Sequence, residues 1–421
     1  MESLAIVGTG IAGLGCAHFL QQRYALTLYE QAAHIGGHAN TVTIQEDAGS
    51  VPIDTGFLTY NEVTYPLLTR LFSELNVATQ ASSMSFSVQH LPSGLQFCGS
   101  SLNHLFGQRR NLFKSSFWQM LLTINRFNRE AVACLDCPRH ELQTLDEFIR
   151  ERNYGASFRD YYLMPMSCAV WSTPPERMLQ FPAATLLRFF YNHGFLGLRT
   201  QHPWRSVQGG ARCYVEKLSA PFRQHLHLRR GVRAVRRERG RVSVTDESGH
   251  SAHYDRVILA CHADQALGML ADADAMERTL LGEFKYHSNI ALLHTDAAVM
   301  PTIPRCWSSW NYRMARHANE GIEASTVYWI NSLQRLPTRQ NYFVSINGED
   351  SLRPQKVLRR VRYEHPMFSC GALRAQSELP SLNQRHSKVY FCGSYFRYGF
   401  HEDALKSAFD LSRVLGSDVW N

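Results

Sequence analysis

The chain has 421 residues, 44% of them apolar and 19% charged, too long for one compact core and rich enough in apolar material for two or three. That arithmetic excludes a disulfide-stapled miniature fold and an intrinsically disordered chain. Lys and Arg total 44 against 36 Asp and Glu, a net charge of +8, which favours an anionic partner such as a lipid surface or nucleic acid without choosing between them.

In chain order, Leu4 to Val7 predicts a fully buried strand that runs straight into Gly8-Thr9-Gly10-Ile11-Ala12-Gly13 and then into a helical pattern at Leu14, Ala17 and Leu20. Gly8 permits the tight turn, Gly10 lets the backbone approach a pyrophosphate, and Gly13 lets helix and strand pack closely. The free N–H groups of Ile11 and Ala12 at the helix start meet the phosphate charge. A second strand, Ala25 to Tyr29, ends in Glu30, where a carboxylate accepts both ribose hydroxyls of an adenosine and repels a 2′-phosphate. Because the first apolar run comes at Leu4 and is short, no signal peptide is expected. No stretch approaches the roughly 18 to 20 apolar residues of a membrane-spanning helix.

A second glycine pair, Gly36-Gly37, precedes His38, and Asp54-Thr55-Gly56-Phe57 follows an expected strand pair at 41–44 and 51–53. Residues 75–129 then contain no acid but carry Arg109, Arg110, Lys114, Arg126 and Arg129, interleaved with Leu112, Phe113, Phe117, Trp118, Leu121 and Leu122. An interfacial helix has this pattern, its cations meeting lipid phosphates while the apolar face enters the acyl boundary. A core helix with solvated arginines has it too. No nucleic-acid recognition module accompanies the charge, so nucleic acid is not expected as a partner. The ten cysteines are scattered, with Cys134 and Cys137 the one close pair. A lone C-x-x-C lacks the second ligand pair of a zinc site, so no metal is expected, and free thiols fit a reducing, cytoplasmic setting.

From Tyr154 to Trp204 there are 11 aromatics in 51 residues and only two acids, Asp160 and Glu176. An apolar, acid-poor pocket suits an acyl chain better than a polyamine, whose ammonium groups want carboxylates or an aromatic cage; the same aromatics could equally fill a core. Further on, Val232 to Val235, Val242 to Thr245 and Arg256 to Ala260 alternate and stop like a hairpin and a returning strand. Val389 to Phe391 reads as a buried strand ending at Gly393-Ser394, and His401-Glu402-Asp403-Ala404 opens a helix.

The run from Ile6 to Phe57, together with the C-terminal Tyr390-Phe391-Cys392-Gly393-Ser394 and His401 to Ala404, resembles the flavin-containing amine oxidoreductase superfamily, which includes monoamine oxidases, protoporphyrinogen oxidase and carotenoid desaturases. The resemblance implies an α/β chain, with a Rossmann-like FAD-binding domain at 1–60, 205–270 and 385–421 interleaved with a mixed-sheet and helical substrate domain at 61–204 and 271–384. It implies that Gly36, Gly37, His38, Thr55, Gly56 and Phe57 follow the pyrophosphate and ribityl chain, that Val232 covers the adenine, and that Gly393, Ser394, Asp403 and Ala404 approach the flavin ring. His38 stands where the family usually has arginine. No cysteine occupies the position used for covalent attachment in monoamine oxidases, so the FAD is expected to be non-covalent. Where amine oxidases place a lysine that holds a water near the flavin, the corresponding strand puts Asn289. His193 and Tyr312 are the candidate base or polar orienter.

Pro165-Met166, Trp171-Ser172, Asn192-His193-Gly194, Trp307 to Tyr312, Tyr328-Trp329-Ile330-Asn331 and Glu364-His365-Pro366 resemble a bacterial branch associated with cyclopropane fatty acid synthase and furan fatty acid biosynthesis. That likeness implies a fatty-acyl or phospholipid desaturase, with a lipid methyltransferase as candidate partner. Dioxygen is the expected oxidant, because the chain has one complete dinucleotide start and no evident second site for NAD(P)H, and the basic segment at 109–129 is expected to dock peripherally on the inner face of an anionic membrane. An amine oxidase, a redox-neutral fatty-acid isomerase and a non-catalytic flavin-bearing partner of the methyltransferase are the alternatives.

Overall fold

A computed structural model describes residues 1–135, 143–197, 200–317, 321–385 and 388–420. Cys137 of the close cysteine pair lies outside them. The leading apolar run is an edge-protected central strand, Glu2–Val7, with Leu4, Ala5 and Ile6 fully buried. Burial on both faces is why the sequence shows a continuous apolar run rather than alternation. This strand lies between Tyr24–Tyr29 and Arg256–Leu259, and the parallel sheet is completed by Leu226–His227 on one edge and Val389–Phe391 on the other. Three distant parts of the chain therefore meet in one five-stranded sheet. Helix Ile11–Leu20 packs against the C-terminal helix His401–Val414 at close range, because a side chain on Gly15 would stand only 3.0 Å from Leu405.

The segment expected as a hairpin is a three-stranded antiparallel meander, Val232–Glu238, Arg241–Asp246 and Ser251–Tyr254, from which Arg256–Leu259 departs into the parallel sheet. The third strand is short and polar, with only Tyr254 buried, so its alternation is weak in the sequence.

Opposite this unit stands a seven-stranded mixed sheet in the order Val357–Met367, Lys285–His294, Phe343–Ile346, Gly321–Trp329, Trp310–His317, Phe86–His90 and Leu95–Cys98. Helices Ser115–Ala133, Met164–Trp171 and Ala183–Asn192 accompany it. Helix Cys370–Asn383 packs instead on the parallel sheet, where Asn383 pairs with both the N–H and the C=O of Phe391 at 2.8 Å.

Asp54 ties these parts together from a fully buried position. It accepts from the Thr41 hydroxyl at 2.5 Å, the Ala211 N–H at 2.9 Å and Gln334 Nε2 at 2.8 Å. Burial pushes its carboxyl up to about 7, and without these donors the cost of burying it would go uncompensated. No helix of the described residues is long and apolar enough to cross a membrane.

Candidate active site

A cavity of about 1130 Å³ opens at the carboxyl ends of the parallel strands, where ligands of open α/β sheets bind. A site for one drug-sized ligand occupies roughly 300 to 1,000 Å³, so this volume accommodates a dinucleotide with a substrate beside it. Gly8, Gly10, Ile11, Ala12, Glu30, Gly36, Gly37, His38, Gly56, Phe57, Val232, Gly393, Ser394 and Ala404 share its wall. Gly13, Thr55 and Asp403 stand behind it. A side chain on Gly13 would lie 1.9 Å from the Gly8 carbonyl oxygen, Thr55 bonds the Tyr363 hydroxyl at 2.8 Å, and the Asp403 carboxylate accepts the Phe400 N–H at 2.9 Å as a helix cap. Burial raises that carboxyl to about 7.

The dinucleotide end is built from backbone. Gly8 has φ +101 and Gly10 has open space where its Cβ would be. The helix that Gly10 starts has no side-chain cap, which leaves its first N–H groups for an anion. The second glycine turn docks on the first, with the Gly36 N–H donating to Thr9 O at 2.9 Å and a Gly37 Cβ predicted only 3.2 Å from Gly10 Cα. Glu30 is fixed by the Thr9 N–H at 3.1 Å and the Ala32 N–H at 2.8 Å. His38 is stacked on Tyr363 at 4.8 Å, and burial, reinforced by neighbouring His365 and His262, holds its pKa well below the usual range. It is a neutral donor or acceptor, not a cation.

The other end is apolar. Phe86, Phe97, Leu105, Leu121, Ile124 and Met166 line it. Of the aromatic-rich segment, Tyr162, Trp171, Phe189, Phe195 and Trp204 reach the wall, while Tyr154, Phe158, Phe181 and Phe190 fill the core. Among the described lining residues the only carboxylates are Glu30 and Glu364.

His193 is on the wall, packed face to face with Phe189 at 3.9 Å. Its Nδ1 lies 3.0 Å from the Phe189 carbonyl oxygen. A carbonyl only accepts, so Nδ1 carries the proton and Nε2 presents a lone pair; burial lowers the pKa to about 4. Tyr312 lies off the wall, buried beside the Cys168 thiol, and burial holds its hydroxyl far above the usual range. Asn289 is also off the wall and fully buried, but its side chain holds His365, which is on it. Tyr363 is a wall residue that no sequence motif contained, while His365 and His401, also on the wall, stood in the motifs without an assigned role. His401, stacked on Phe57 at 3.9 Å, was signalled only by its place at a helix start. No group of three His, Cys, Asp or Glu residues that could hold a metal ion occurs among the described residues.

The sequence model for flavin-containing amine oxidoreductases matches residues 11–298. The chain belongs to this family. It is a flavin-dependent oxidoreductase. No curated protein sequence matches it. Among solved structures, a cofactor-binding redesign of putrescine oxidase is similar with a TM-score of 0.69 at 14% identity, over 98% of this chain and 99% of that one. The fatty acid isomerase from P. acnes that produces CLA is similar with a TM-score of 0.69 at 14% identity, over 98% of each chain. Cyclohexylamine oxidase from Brevibacterium oxydans gives 0.66 at 15% identity, over 98% of this chain and 99% of that one.

The wall fits such a cofactor. Besides the open Gly10 and the uncapped helix start, Trp204 Nε1 and Trp310 Nε1 are buried donors with no acceptor among the described residues, and both rings line the cavity. Buried donors of this kind call for a bound acceptor.

Proposed function

We propose that this flavoprotein is a desaturase or oxidase that binds FAD non-covalently and acts on a long apolar substrate, a fatty-acyl or phospholipid chain, with dioxygen as terminal oxidant. The observation that carries the reading is the apolar end of the cavity, where Phe86, Phe97, Leu105, Leu121, Ile124 and Met166 offer no carboxylate to pair with a substrate ammonium group. A polyamine there would leave its charges unpaired at a cost of several kcal/mol each. The fold also serves a fatty acid isomerase, which supports the substrate class without fixing it.

The wall supports non-covalent binding: Cys261 is its one thiol among the described residues, and burial holds that thiol protonated and unreactive.

When bound, a flavin supplies the hydride acceptor for oxidation of a substrate C–H bond. The chain supplies the rest. The apolar end would exclude water and align the acyl chain, the free Nε2 lone pair of His193 would take the proton from the adjacent carbon, and the helix start at Ile11 and Ala12 would neutralise the pyrophosphate. Anaerobic mixing of the yellow protein with dispersed phospholipids, fatty acids or amines, followed by mass spectrometry of the acyl chains, tests the reading. Bleaching by acyl lipids with loss of two hydrogens from the chain is expected. Bleaching by amines alone would replace it with an amine oxidase, and shifted double bonds at unchanged chain mass, without bleaching, with an isomerase. A complex with a lipid methyltransferase and no bleaching by any substrate would make the protein a non-catalytic partner.

A further inference from the structure

Helix Ser115–Ala133 and the turn before it carry three large exposed apolar side chains of the acid-free segment: Phe113 is 89% exposed, Leu122 69% and Trp118 45%. Leaving such groups in water is costly, and a monomer has no reason to cluster them. The helix divides into three faces. Phe117, Met120, Phe127 and Ala131 enter the core, Leu121, Ile124 and Asn128 line the substrate end of the cavity, and Trp118 and Leu122 point outward on the side next to the cavity face. Trp118 is held in place, its Nε1 donating to Leu112 O at 2.9 Å and its ring 5.2 Å from that of Phe106.

The charge around these side chains is positive and uncompensated. Arg109 gives its donors to Phe106 O at 3.1 Å and Asn103 Oδ1 at 2.7 Å, and Arg110 bonds Gly94 O. These are neutral acceptors, and among the described residues no carboxylate pairs with either guanidinium. Lys114 sits between them and the helix.

We infer that this patch is a docking surface for an anionic lipid bilayer, with Phe113, Trp118 and Leu122 entering the acyl boundary and Arg109, Arg110 and Lys114 meeting the phosphates. Complementary charge selects the occupant: a second copy of this face would set like charges against each other, whereas an anionic leaflet accepts both the cations and the apolar wedge. The shared helix then places the membrane beside the apolar end of the cavity. That last step rests on the acyl-substrate reading; the docking itself does not, because it is measured without turnover.

The test is flotation of the flavin-loaded protein with vesicles of phosphatidylcholine alone and of phosphatidylcholine with phosphatidylglycerol, at low and high salt. Binding to the anionic vesicles that weakens with salt is expected, with a blue shift of tryptophan emission. Each cation removed near such a surface weakens binding about fivefold, so the Arg109→Ala, Arg110→Ala pair should lose on the order of 25-fold, and Phe113→Ser with Leu122→Ser should abolish the spectral shift. All four side chains are exposed, and retained flavin absorbance verifies folding. Binding to neither vesicle, equal binding to both, or binding indifferent to both variant pairs would overturn the inference. So would a dimer in sedimentation that dissociates in the Phe113→Ser, Leu122→Ser variant without vesicle binding, which would give the face to a second copy.

Discussion

Asn289 Nδ2 donates to Nδ1 of His365 at 2.8 Å, and the amide cannot turn over, because its Oδ1 accepts from Asn347 Nδ2 at 2.7 Å and its Nδ2 also reaches Ser172 O. His365 must then carry its proton on Nε2. His193, which spends Nδ1–H on the Phe189 carbonyl, carries its lone pair there instead. Two neutral imidazoles on one wall thus offer opposite functions, a donor and an acceptor, and burial holds both at about 4 so that neither charges at neutral pH.

Asn289→Asp should reverse one of them. A carboxylate only accepts, so it would draw the proton to Nδ1 of His365 and raise that ring's pKa. Turnover should fall about tenfold or more at unchanged flavin content, and histidine NMR should show His365 titrating nearer neutrality. An unaltered pH–rate profile and an unaltered His365 resonance would remove Asn289 as the orienting residue.

His193→Ala should lower turnover about a hundredfold, the low end of what a positioned base contributes, while the protein stays yellow. His193→Gln keeps a donor for Phe189 O and tests packing separately. If His193→Ala turns over like the unaltered protein, the proton leaves to water or another group.

Gly10 and Gly13 separate binding from folding. A side chain at Gly10 meets nothing in the protein, whereas one at Gly13 meets the Gly8 carbonyl at 1.9 Å. Gly10→Val is therefore expected to fold with a thermal midpoint near that of the apoprotein and to lack flavin absorbance, while Gly13→Val should fail to accumulate in soluble form. A yellow Gly10→Val protein would show that the pyrophosphate does not approach this turn.

Those glycines were legible in the sequence because each answers a local backbone demand, and so were the buried strands, whose apolar runs report their own burial. His365 and His401 were not. Their roles arise from partners 76 and 344 residues away, Asn289 and Phe57, and no spacing rule encodes such contacts. Asp54 is visible in the sequence as the start of the Asp54-Thr55-Gly56-Phe57 run, but its function as a tie depends on Ala211 and Gln334. The aromatic-rich segment divides between wall and core because composition reports burial without reporting which buried surface is shared with a cavity. Tyr312, chosen by type and neighbourhood, faces Cys168 on the core side, a distinction that the two-residue alternation of its strand could have suggested only if the cavity side were known.

The same buried groups set the pH dependence of stability. His38, His193, His294, His365 and His401 all have pKa values lowered by burial, so between about 4 and 6.5 the unfolded chain binds protons that the folded one refuses. Stability falls as pH drops through that window. Asp54 and Asp403 act in the opposite sense: raised to about 7, they bind protons in the folded state that the unfolded chain releases, which favours folding as pH drops from 7 towards 4. His18 and His262 are lowered as well and Glu402 is raised, so the depressed histidines outnumber the raised carboxyls and a net loss of stability is expected as pH falls from about 6.5 to 5. Urea unfolding followed by circular dichroism between pH 7 and 5 measures it directly. A midpoint that holds steady or rises on acidification would mean that the wall histidines are solvated, and with them the dry site on which their opposite tautomers depend.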